Sequence, residues 1–335
     1  MKSIKNITVI CLLSVSLFFC VPGSTKSEAV SISDVIGDMV AVQEGWFTMG
    51  LQNGEFNERP EHEVYLDSYK IDRYEVSAKD FAAFLIARGN PENRYFTAED
   101  SSTVEVGHQG YAAKQGYEDF PANNVSWFGA MEYCRWKGKR LPTEAEWEKA
   151  ARGDDRRIYP WGYGFPTENR ARYARDFGES GVKVMVSVDA LPAGESFYGA
   201  KNMAGNVVEW TYDWYRQNFC DFCDPSGEEY LTYASEIICG DKTSVEHGKK
   251  VSDVPPRNNP EGPSLGVFKV LRGGSWHDLS VQKIRSTYRI WLDPLERFPY
   301  TGFRCVSTDA KAVKDEKTSV ADIICKPKTA AVEKP

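Results

Sequence analysis

The chain has 335 residues, a formal net charge of −7, 41% hydrophobic and 27% charged side chains. That balance fits a packed protein, excludes disordered, collagen-like and polytopic membrane chains, and lacks the dense basic field that a phosphate backbone demands. Nine tryptophans, 17 tyrosines, 17 phenylalanines and 27 glycines predict rings packed among tight turns, in one large or two smaller domains.

Lys2 and Lys5 precede an apolar run from Ile7 to Cys20, and small or polar residues follow from Pro22 to Ala29. This is the order of a secretory signal, and the run is short for a spanning helix. Residues 1–29 therefore read as a leader cleaved after Gly23 or Ala29, and the mature chain as exported, periplasmic or secreted, with no later segment apolar enough to span a bilayer. Phe18 and Phe19 stand where a lipidation site on Cys20 carries small residues.

Gly45 to Met49 and Glu63 to Leu66 read as strands. Ser77 with Asp80 opens a helix whose Phe81, Phe84 and Leu85 share one face, and Gly89 and Pro91 stop it. Ser126 caps a second helix to about Lys137, burying Trp127, Met131 and Cys134, with Gly138 as terminator. Thr143 and Glu146 make a capping box for a third, from there to Arg152, ended by Gly153. Residues 216–263 differ from their surroundings and read as an insertion, with Cys220-x-x-Cys223, a short helix from Ser226 to Gly240, and a turn-rich end. Lys269 to Leu271 and Gly302 to Val306 read as strands, and residues 308–335 as a loose tail.

Six cysteines follow the leader: Cys134, Cys220, Cys223, Cys239, Cys305 and Cys325. An exported chain favours disulfides, but six cysteines allow fifteen pairings and spacing alone selects none. Asp221, Asp224, Glu228 and Glu229 would raise the thiol pKa of Cys220 and Cys223, against a redox pair. Cys220, Cys223, Cys239 and His247 have zinc-compatible ligand types. Export favours two bridges among Cys220, Cys223, Cys239 and Cys325.

A family pattern emerges from nine segments in order over roughly residues 40–307. They include Gly45-Trp46-Phe47-Thr48-Met49-Gly50, Asp72-Arg73-Tyr74-Glu75-Val76-Ser77, Gly138-Lys139-Arg140-Leu141-Pro142-Thr143-Glu144-Ala145-Glu146-Trp147, Asn202-Met203-Ala204-Gly205-Asn206-Val207-Val208-Glu209-Trp210, Leu271-Arg272-Gly273-Gly274-Ser275-Trp276 and Gly302-Phe303-Arg304-Cys305. In these the chain resembles the formylglycine-generating enzymes, also called sulfatase-modifying factors. The resemblance implies one α+β domain over residues 40–307, related to C-type lectins and low in regular secondary structure. It implies a disulfide between Cys134 and Cys305, and a structural calcium held by Asn202, Gly205, Val207 and Glu209, whose hard oxygens suit that ion. A second family calcium site would begin at Asn169, where no acidic partner aligns.

Formylglycine generation needs two cysteine thiolates that hold copper between the Gly-Gly-Ser and Gly-Phe-Arg segments. No cysteine occurs from Arg272 to Arg304. Cu(I) selects thiolates, and His277, the one histidine in that interval, cannot replace two of them, so no copper is expected there. His62 lies in a strand motif and reads as structural. Trp276, His277, Asp278, Arg285 and Arg289 are the candidate lining of a ligand pocket.

Two classes of function follow. The first is an exported binding or assembly module for a protein, peptide or small molecule of the cell envelope, with the insertion as its contact surface. The second is an exported oxidoreductase resembling the pyoverdine-maturation branch of the family, which acts on a peptide or siderophore-like substrate. The ergothioneine-type iron branch fits less well, because it needs a separate helical domain, and a sulfatase-modifying activity ranks last. The sequence names no cofactor ligands and no acid/base pair, which favours the binding module.

Overall fold

The computed structural model describes residues 39–108, 110–175, 184–217 and 257–307. The leader, Cys220, Cys223, Cys239, His247, the helix expected from Ser226, and the tail with Cys325 lie outside the described residues.

The three expected helices form where local chemistry demands. The first N–H groups of a helix have no acceptor within it, so a side chain must supply one. Ser77 accepts from Asp80 N ahead of α1 (Ala78–Arg88), and Ser126 accepts from Gly129 N ahead of α2 (Trp127–Trp136). Thr143 and Glu146 exchange both bonds of a capping box at the start of α3 (Glu144–Arg152). Gly89, Gly138 and Gly153 follow these helices at φ 75°, 69° and 69°, a region that penalises any Cβ.

The strands are short. β1 (Met39–Val42), β4 (Tyr69–Asp72) and β12 (Val306–Ser307) pair antiparallel in the order β1-β4-β12. A second sheet joins β2 (Gly45–Met49), β3 (His62–Leu66) and β8 (Arg257–Asn258). β5 (Val104–Gly107) and β6 (Gly110–Ala113) form a ribbon. The fourth sheet runs β10-β9-β7-β11, from β7 (Val208–Trp214), β9 (Lys269–Arg272), β10 (Arg289–Leu292) and β11 (Thr301–Gly302).

The strand expected over Gly302 to Val306 is in fact two. The chain leaves parallel pairing with β7 at Gly302 and joins β4 antiparallel at Val306. Between them Phe303 enters the core, Arg304 turns inward, and Cys305 bonds to Cys134. The disulfide implied by the family resemblance is thus present, and it ties α2 to this crossing. Closing a loop of 171 residues stabilises by roughly 5 kcal/mol in the chain-entropy picture.

Phe81 of α1 sits amid Phe84, Phe96, Tyr133 and Phe303, with ring centroids 5.5–6.0 Å apart. These contacts weld α1, α2 and the Gly-Phe-Arg segment into one apolar cluster. α3 is different: Glu144, Glu146, Glu148, Lys149 and Arg152 are all buried. Its Glu144 and Glu148 face arginines from the fourth sheet instead of water, while Lys149 and Arg152 donate to backbone carbonyls around β2. Glu148 binds Arg272 and Arg152, and Glu144 grips Arg289 at 2.5 and 2.8 Å. Burial would raise the Glu148 carboxyl, but Arg272 and Arg152 outweigh it and hold the group below its ordinary range.

Candidate functional site

β9 ends in a turn that sets the interval where the family pattern carries its cysteines. Gly273 and Gly274 both have positive φ, and a Cβ at Gly274 would lie 2.4 Å from the Lys283 carbonyl. Only glycine fits there. The turn presents Asp278, whose Oδ2 accepts from Ser275 N at 2.9 Å and Ser275 Oγ at 3.0 Å, with Lys283 Nζ 3.4 Å from Oδ1. His277 stacks on Tyr300 at 5.3 Å and 6°, and Tyr300 stacks on Phe298 at 5.1 Å and 2°. Trp276 is buried beneath, edge-on to His277 and Tyr300.

The five residues expected to line one pocket do not converge. Trp276, His277 and Asp278 share the turn, Arg285 turns to a buried carboxylate, and Arg289, paired through its guanidinium inside, lines a separate groove together with Tyr288 and Trp291. Arg285 pairs with buried Glu58 at 2.6 Å, and Thr287 donates to the same carboxylate at 2.7 Å. Arg289 is spent on Glu144 and on the Asn57 carbonyl at 2.7 Å. A buried carboxylate claims each guanidinium because neither charge can be left unpaired away from water.

A groove of about 400 Å³ opens beside that turn. It is lined by Phe56, Asn57, Tyr215, Tyr288, Arg289, Ile290 and Trp291, with Glu55 and Gln217 adding further polar groups. Tyr215 and Trp291 stack at 4.3 Å and 22°, and Asn57 Nδ2 donates to Tyr215 Oη at 3.3 Å, fixing the floor. Phe56 and Trp291 keep 51% and 44% of their surface exposed, so their ring faces are open to a ligand. Tyr288 is pushed up to about 12 by burial and then by Asp278, Glu55 and Glu58, and it remains a neutral phenol at physiological pH. It links the groove to the Asp278 turn. The groove was missed in the sequence because its rings come from segments far apart along the chain; the one available signal was the surplus of aromatic residues.

A second space of about 20 Å³ lies inside, between His62, Glu144, Asp213 and Arg257. Asp213 is pushed up to about 8 by burial and by Glu144. Burial holds His62 below its ordinary value, and its Nδ1 lies 3.0 Å from the Pro60 carbonyl, in keeping with a structural role.

The residues expected around calcium have the following partners. Glu209 is saturated: Arg304 clasps both its oxygens at 2.7 Å and Trp147 Nε1 donates at 2.8 Å. Gly205 is held close to the Arg172 carbonyl, where a Cβ would stand at 2.3 Å. Asn202 is buried with Oδ1 unpartnered, while its Nδ2 donates to Glu75 at 3.0 Å. The quartet Asn202, Gly205, Val207 and Glu209 therefore does not fit a calcium ion as a set, because its carboxylate is already neutralised. Glu75, which accepts from Asn202 and Asn206, is pushed up to about 8 by burial and by Glu209, so it is mostly protonated near neutral pH. Asn169 is exposed and accepts from Thr167 Oγ1 at 2.5 Å. Among the described residues no group of three or more His, Cys, Asp or Glu side chains is placed to hold a metal, and no helix is long and apolar enough to cross a membrane.

Three capped helices, four small sheets and a long share of turns define the class: an α+β protein with the formylglycine-generating-enzyme fold, related to C-type lectins. The chain belongs to the family of sulfatase-modifying factor enzyme 1-like domains, whose model matches residues 26–309. It is 31% identical to a formylglycine-generating enzyme of Thermomonospora curvata, over 83% of this chain and 95% of that protein. It is also 31% identical to the serine/threonine-protein kinase pkn1 of Chlamydia caviae, over 86% of this chain, and it spans 40% of that protein's length. Among solved structures it is similar to PvdO from Pseudomonas aeruginosa, with a TM-score of 0.57 and 22% identity, covering 80% of this chain and 93% of that one.

Proposed function

We propose that this protein is an exported binding module of the cell envelope, built on the formylglycine-generating scaffold without its oxidative chemistry. The observation that carries the reading is the ring-lined groove beside a turn in which Asp278, tied to Ser275 and Lys283, stands in the interval where the family has thiolates. A carboxylate held by a serine and a lysine is not a soft ligand for Cu(I). Exposed faces of Phe56 and Trp291, above the rigid Tyr215 floor, suit a flat or apolar group of a peptide or small molecule.

The groove is tested by titrating tryptophan fluorescence with short peptides that carry an aromatic or proline residue. Saturable quenching is expected in the wild type and its loss in Trp291→Ala. Quenching that persists in Trp291→Ala contradicts the groove as the binding site. Co-expression with a sulfatase peptide tests the chemistry: the peptide cysteine is expected unchanged by mass spectrometry, and conversion to formylglycine refutes the reading.

A further inference from the structure

β10 is an end strand of its sheet, and its register sets Ile290 opposite Leu271 and Trp291 opposite Val270. In an antiparallel ladder the backbone groups of successive residues point alternately to the two sides. Val270 is turned toward β7, because its carbonyl accepts from Thr211 Oγ1 at 3.0 Å. Leu271 is therefore the residue that reaches Ile290, and the N–H and C=O of Arg289 and Trp291 face away from the sheet. The Arg289 carbonyl bears this out, since it accepts at 3.2 Å from Asn57 Nδ2, which lies outside the sheet. Among the described residues no strand pairs with Trp291 on that side. An open N–H and C=O on an edge strand are a template for one more strand.

The groove runs along the same edge. The Trp291 indole stacks on Tyr215 and lines it together with the exposed Phe56. A side chain directly opposite Trp291 on an added strand falls on the same face as the indole, and so enters the groove. Charge narrows the partner further. Arg289 is the one cationic side chain of the lining, and Glu144 holds its guanidinium at 2.8 Å. Glu55 supplies an exposed carboxylate, and β10 runs on into Asp293, whose N–H donates to Glu296 Oε2 at 3.2 Å.

We infer that the groove takes an extended segment of a partner protein, added as a strand to β10, with an aromatic side chain opposite Trp291 and basic side chains two residues to either side. This deepens the reading of the groove as the binding site and rests on it.

The end-blocked peptide Lys-Thr-Phe-Thr-Lys, titrated into the full chain by calorimetry, provides the test. N-methylation of its Phe removes the N–H aimed at the Trp291 carbonyl and should weaken binding about tenfold. N-methylation of the following Thr, whose N–H points away from β10, should change it by less than about twofold. Glu55→Gln should weaken the peptide about threefold and leave Ser-Thr-Phe-Thr-Ser unaffected. Equal affinity of the two methylated peptides, or N-acetylphenylalanine amide binding as tightly as the pentapeptide, would overturn strand addition while leaving the groove a site for a small apolar ligand. Unchanged binding of the basic peptide to Glu55→Gln would overturn the charge preference. No saturable binding of any of these probes would overturn both this inference and the reading of the groove.

Discussion

Arg304 closes on Glu209 with two parallel hydrogen bonds of 2.7 Å, and both side chains are shut away from water. The same guanidinium also donates to the carbonyls of Asp72, Arg73 and Lys201, so one side chain stitches the last crossing to β4, β7 and the Asn202 loop. Removing one partner of such a pair leaves the other charged and buried. Arg304→Met should therefore cost about 3–5 kcal/mol in urea unfolding, whereas the double change Arg304→Met with Glu209→Leu should recover much of it. Equal losses in the single and double variants would contradict the assignment.

The disulfide offers a second check on the same crossing. Replacing Cys134 and Cys305 together by alanine should lower stability by roughly 4–5 kcal/mol, chiefly by freeing the unfolded chain. Urea unfolding of the variant set against the oxidised wild type measures it, and the reduced wild type serves as the second reference for the variant. The variant and the reduced wild type should coincide.

Asp213 gives a pH dependence of defined sign. It is buried, accepts from Glu144 N at 2.7 Å, and is pushed up to about 8 by burial, Glu144 and Glu146, with Lys269 opposing. Between the unfolded carboxyl pKa and about 8, the folded state holds a proton that the unfolded state has released. Stability contributed by this group is therefore complete at low pH and declines as pH rises toward 8. Asp213→Asn should flatten that decline and become the more stable form above about pH 8, as read by melting temperature across pH 5–9. A wild type that gains stability relative to the variant as pH rises would contradict the assignment.

The starts of the three helices were legible because Ser77, Ser126 and Thr143 each act on a backbone hydrogen three residues away. The ion pairs were not. Glu58 meets Arg285 from 227 positions away, and Glu144 meets Arg289 from 145. For that reason Arg285 read as a pocket residue when Glu58 holds it, Arg289 lines the Tyr215–Trp291 groove while Glu144 holds its guanidinium, and the charged face of α3 gave no hint that it lies inside. Glu75 was visible within its motif, yet its proximity to Asn202, 127 positions on, required the fold. The groove depends likewise on Phe56, Tyr215 and Trp291 meeting from three segments.

The central claim is that this scaffold binds and does not oxidise. The most direct measurement is the copper and iron content of the purified protein, together with oxygen uptake in the presence of thiol and catechol-like substrates. The account predicts neither metal in stoichiometric amount and no substrate-dependent oxygen uptake. Stoichiometric copper or iron with oxygen turnover would contradict it and favour an oxidoreductase.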